Sequence, residues 1–99
     1  PDKFPLRAVE RRLEQLAFNC RLSRMQITWT LAATYEQAAL NASDEGKDEV
    51  AQDYARKSVR YAEKIMDAAR QDLPVPPHIL NGAPRHIASL TETYSLGQQ

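Results

Sequence analysis

Apolar side chains recur along the first part of the chain at alternating steps of three and four: Leu6, Val9, Leu13, Leu16 and Cys20. The rhythm continues through Ser23, Ile27, Leu31, Tyr35, Ala38 and Ala42. That spacing lays them along one stripe of an α-helix. Pro5 suits the first helical position, since its φ is preset and its missing N–H would be unpaired there. A helix over about 5–42 follows. A break into two helices near 19–23 is the competing reading, because Ser23 and Gln26 fit a Ser-x-x-Gln capping box; no helix breaker supports it. Met25, Trp29, Ala32 and Ala39 form a second stripe, and between Met25 and Ser43 the only charged side chain is Glu36. A helix exposed along one side carries charges there. This segment is therefore expected to be covered on more than one side, with Trp29 largely buried.

Asn41, Ser43, Asp44 and Gly46 then mark a tight turn, since these residues bond their own backbone or tolerate positive φ. A second helix over 47–72 carries Ala51, Ala55, Ser58, Ala62, Ile65 and Ala69 on a seam of mostly small side chains, flanked by Tyr54, Val59, Tyr61 and Met66. Small residues let two helix backbones approach closely. Leu73-Pro74-Val75-Pro76-Pro77 resists helix, because each proline removes a donor and biases its predecessor toward extended geometry. With Asn81-Gly82 as a further stop, the pattern predicts a stiff bridge over 73–83 and a short helix over 84–94, with Ala83, Ile87, Leu90 and Tyr94 spaced for one apolar face.

The expected fold is all-α: one helical domain over 1–99, an antiparallel hairpin of a long and a shorter helix with a short C-terminal helix folded back across them. Leu31-Ala32-x-x-Tyr35 facing Ala51, Ala55 and Ala62 resembles the small-against-large packing of helix-turn-helix repeat units such as tetratricopeptide repeats. The likeness lacks that family's helix spacing and its repetition, and no functional residue is carried over from it.

Net charge is zero but segregated: +3 over residues 1–26, −5 over 27–53 and +2 over 54–72. Alternation of this kind favours elements that fold back on one another. The single cysteine, Cys20, excludes an internal disulfide and points to a reducing, cytoplasmic setting; on the apolar stripe its thiol is expected to be an inert core group. No stretch is apolar enough for a membrane span, so a soluble protein is expected. The chain starts at Pro1, which suggests a piece of a longer protein or a trimmed terminus.

Chemistry is sparsely marked. Glu36 is most simply a solvent-facing strip of its helix, and His78 and His86 lack the spacing that sets two metal ligands on one helical face. None of Ser23, Ser43, Ser58, Ser89 and Ser95 sits in a nucleophile motif, and no glycine-rich loop is present to hold a phosphate. The reading leans away from an enzyme and implies no cofactor and no metal. The two predicted helices differ in length by roughly 19 Å at about 1.5 Å per residue, so Leu6, Val9, Leu13 and Leu16 lack an intrachain partner unless the C-terminal helix covers them. The expected function is a helical protein–protein interaction or oligomerisation module, self-associating or docking within a larger assembly through those four residues. The alternative is a nucleic-acid-binding accessory domain, with Arg7, Arg11, Arg12, Arg21 and Arg24 contacting phosphates.

Overall fold

The computed structural model describes residues 6–97; the side chains of Leu6, Arg7, Val9 and Glu10 lie outside the described residues. Among the described residues the chain forms three helices and no strand: α1 (Leu6–Asp44), α2 (Asp48–Arg70) and α3 (Pro77–Thr93). α1 is continuous through 19–23, where neither glycine nor proline interrupts its hydrogen bonding. α2 folds back antiparallel along its C-terminal part. α3 then runs antiparallel to α2 and lies across both helices.

Each helix ends in the same way. The amide of the third residue past the helix reaches back five residues, Lys47 to Ala42, Leu73 to Ala68 and Leu96 to Thr91, at 2.9, 3.0 and 2.9 Å. The residue before it takes positive φ: Gly46 (77°), Asp72 (59°) and Ser95 (56°). This αL closure satisfies carbonyls that the helix leaves open. Only the first of the three uses glycine, the residue for which it carries no steric cost. At the other end of α2, Asp48 and Glu49 in the first turn complement the helix dipole, as does Arg70 in the last.

The C-terminal boundaries differ from the expected ones. The non-helical bridge is confined to residues 71–76, and α3 begins at Pro77 rather than 84, passing through Asn81, Gly82 and Pro84. Tertiary packing overrides the local stop signals. Ile79 and Ala83 are fully buried against Ala62 and Ile65, and a Cβ on Gly82 would stand 3.1 Å from the Trp29 ring, so the bare backbone there is the seat of the indole. Pro84, on the exposed side, costs α3 one hydrogen bond without touching the core.

α1 and α2 meet along small side chains: Ala32, Ala39, Ala51, Ala55, Ser58 and Ala62 are all at most 1% exposed. Tyr35 of α1 closes one edge, stacked on Tyr61 with centroids 5.7 Å apart and tilted against Tyr54 at 6.0 Å. Lys57 lies 5.7 Å from the Tyr35 centroid. The segregated charges do not act through direct pairs between helices, since the Lys–Glu and Arg–Asp bridges among the described residues are local and exposed.

Trp29 is partly buried and packs against the Ala62–Ile79 core. One burial expectation is corrected: the uncharged segment is open along one side, with Ile27 62%, Leu31 36% and Leu40 48% exposed. α2 and α3 share adjoining faces of α1 and leave the opposite one free.

Ala55→Leu or Ala62→Leu is expected to destabilise the fold by about 1–3 kcal/mol, because the seam has no room for added methylenes. Urea denaturation of both variants checks this; unchanged midpoints would mean the helices can separate at no cost.

Candidate functional site

Two features stand out from the packed body. The first is a chain of polar contacts that joins all three helices. Ser58 Oγ in α2 lies 2.5 Å from the Ala32 carbonyl of α1 and 2.6 Å from His86 Nε2 of α3. His86 Nδ1 lies 3.3 Å from Glu36 Oε2 on α1. Each position follows from the helical register. Ser58 takes the place of an alanine on the α2 seam, and Glu36 sits one turn beyond Ala32. His86 sits one turn beyond Gly82, edge-on to Trp29 at 5.4 Å.

Serine, histidine and carboxylate in that order are also the parts of an acyl-transfer triad. Here Ser58 is fully buried, and its hydroxyl is within hydrogen-bond distance of a main-chain carbonyl as well as the imidazole. It is placed to tie helices together. Counting hydrogens makes the point: three contacts need three, and a serine with a neutral imidazole supplies two. Only the imidazolium donates at both nitrogens while the serine donates to Ala32. Burial nevertheless pushes His86 below its ordinary 6.5, outweighing the raising effect of the Glu36 carboxylate. Sequence patterns missed this chain because its members are separated by a turn and a proline bridge; a lone serine on an alanine seam was the one signal available. Glu36 itself is half-exposed, so the reading of it as a solvent-facing residue captures its outer side and misses its inner contact.

The second feature is the N-terminal part of α1. Every residue from 11 to 21 is exposed, and half-buried positions begin only at Leu22. At about 100° per residue, Met25, Trp29, Ala32, Glu36 and Ala39 point to the body, whereas Leu13, Leu16, Cys20, Ser23 and Ile27 point the opposite way. Leu13 is 61%, Leu16 45% and Ile27 62% exposed. Leu16, Asn19, Cys20, Ser23, Arg24 and Ile27 line a shallow groove on this side.

α3 does not reach this arm. Ile87 packs beside the Ala62–Ile79 core and the Tyr94 carbonyl accepts from Gln52, so the C-terminal helix does not cover Leu13 and Leu16 of the N-terminal row. Of that row, Leu13 and Leu16 are uncovered by their own chain, while the side chains of Leu6 and Val9 lie outside the described residues. Cys20 is exposed, not a core thiol. Arg11, Arg12, Arg21 and Arg24 are exposed as well; Arg12 and Arg24 flank the apolar stripe, whereas Arg11 and Arg21 are on the far side. Arg7 is outside the described set.

Among the described residues no cluster of three metal-ligating side chains occurs, and no helix is long and apolar enough to cross a membrane. Searches against family models, curated proteins and solved structures find no match.

Because the His86 pKa is lowered on folding, the unfolded chain binds the extra proton first as pH falls. The stabilisation is therefore present above pH 6.5 and is lost as pH drops through the folded-state pKa. Glu36→Gln removes the opposing carboxylate charge and should lower the His86 pKa further, measured by NMR titration of the imidazole; an unchanged value would detach Glu36 from the network. Ser58→Ala leaves the Ala32 carbonyl and His86 Nε2 short of a partner and should cost about 1–3 kcal/mol in denaturant unfolding.

Proposed function

We propose that this chain is a helical protein–protein interaction module, in which the N-terminal arm of α1 docks and the three-helix body holds it. The observation that carries this is the exposed apolar stripe of Leu13, Leu16 and Ile27, set on the side of α1 away from its own body. Scattered surface leucines are ordinary; a row at helical spacing on an unpartnered helix is a contact surface for another helix. Both α2 and α3 are committed elsewhere, and the described residues of α1 before Leu22 are all exposed. Such a module suits self-association or a place in a larger assembly.

Leu13→Asp with Leu16→Asp should abolish association, read as molar mass by sedimentation over a range of concentrations. Unfolding stability should shift by no more than about 0.5 kcal/mol, since neither side chain touches the body. Complete unfolding of the double variant would make the stripe internal core and end this reading. Arg11 and Arg21, exposed on the opposite side of the arm, support nucleic-acid contact as the second reading. Binding to a mixed-sequence duplex that falls steeply with salt would favour it, because phosphate neutralisation releases counterions and apolar burial does not.

A further inference from the structure

We propose that the occupant of the arm is a second copy of the same arm, running antiparallel to it and centred near Ala17–Phe18. This rests on the interaction-module reading and adds the partner and its direction.

The stripe keeps a strict seven-residue repeat in the sequence. Leu6, Leu13, Cys20 and Ile27 fall at one seam position, and Val9, Leu16, Ser23 and Thr30 at the other. A seven-residue repeat is the pattern of helices that coil around a partner. The body does not obstruct one, for α2 and α3 take the far side of α1 and Ile27, beside the body, is still 62% exposed.

Volumes along the seam decide the direction. Run parallel, the arms set Cys20 on Cys20 and Ser23 on Ser23, leaving small or polar layers between paired Leu16 and paired Ile27. Run antiparallel about Ala17–Phe18, they set Leu13 against Ser23 of the second copy, Leu16 against Cys20 and Val9 against Ile27. Large meets small, except in the last of these, and the layers even out.

Charge along one flank agrees independently. Beside the seam the register places Glu10, Ala17 and Arg24, acidic before the centre and basic after it. In an antiparallel pair the same flank of both helices meets, so position 10 falls opposite Arg24 of the other copy, at both ends of the contact. In the structure Arg24 is exposed and takes part in no salt bridge among the described residues. Charges in these flanking positions set partner choice and orientation. The other flank, Arg12, Asn19 and Gln26, carries one charge; antiparallel pairing holds the two copies of Arg12 far apart.

Two measurements on the full chain test this. The first compares Glu10→Arg with Arg24→Glu by sedimentation. Each variant alone should associate about tenfold more weakly, having one sign along the whole flank. An equimolar mixture should recover the affinity of the unmodified chain, with helicity by circular dichroism unchanged throughout. The second places a nitroxide at Ala8→Cys in a Cys20→Ser background and reads the distance by pulsed electron spin resonance. Antiparallel pairing separates the two labels by about 30 Å, 20 residues along the axis at 1.5 Å each, whereas parallel pairing brings them within about 20 Å.

A dimer with the short distance, or one indifferent to both charge variants, overturns the antiparallel arrangement and leaves the interaction module standing. A chain that stays monomeric at millimolar concentration overturns self-pairing itself. The module reading fails separately, if Leu13→Asp/Leu16→Asp unfolds the body.

Discussion

The close approach of α1 and α2 along alanine and serine is the constraint on which the rest of the structure depends. With Ala32, Ala39, Ala51, Ala55 and Ala62 at the contact, no side chain holds the backbones apart, and the Ser58 hydroxyl reaches a main-chain carbonyl of the neighbouring helix. Helices packed on bulkier residues stand farther apart, and a serine there could not bridge them. A thin seam has a second effect. It buries little apolar volume by itself, so the larger residues that stabilise the body, Ile65, Ile79 and Leu90 among them, are assembled where α3 covers the groove. The third helix is thus part of the hairpin's stability and not an appendage to it.

The polar chain from Glu36 through His86 and Ser58 to Ala32 sits where that cover is fastened. It holds α3 at one register on the hairpin, because a shift by one residue would carry His86 away from both partners. An apolar contact is more tolerant of sliding. Burial and the adjacent carboxylate act in opposite directions on the imidazole, so the fastening is sensitive to protons while the alanine seam beneath it is not. Among the described residues no buried side-chain polar atom lacks a partner, which is what a fold with so small a core requires.

The arm follows from the same geometry. α2 is 23 residues long and α1 39, so a hairpin closed by a tight turn at Gly46 leaves the start of α1 unpaired. Its apolar stripe faces away from the body, where it adds nothing to the stability of one chain and can add to the stability of an assembly. An intrachain role would place those leucines on the side of Met25 and Trp29.

Helical periodicity, the Gly46 turn, the alanine seam of α2 and the mismatch in helix length were legible from residues alone, because they depend on local backbone preference and on counting. The role of each stripe on α1 was not: both read as apolar, and only the packed body shows that Met25, Trp29 and Ala32 face inward while Leu13, Leu16 and Cys20 face out. The start of α3 was misplaced for a related reason. Asn81-Gly82 and Pro84 are stop signals in an isolated peptide, but burial of Ile79 and Ala83 and the seating of Trp29 on Gly82 outweigh them. The link between Glu36, Ser58 and His86 was invisible because no pattern in one dimension relates residues on three helices. That the chain forms helices, where the first of them turns and that one outruns the other are short-range properties, written in local backbone preference. Which faces are shared and which polar groups meet depend on the azimuth at which each helix is laid against its neighbours, and so emerge only on packing.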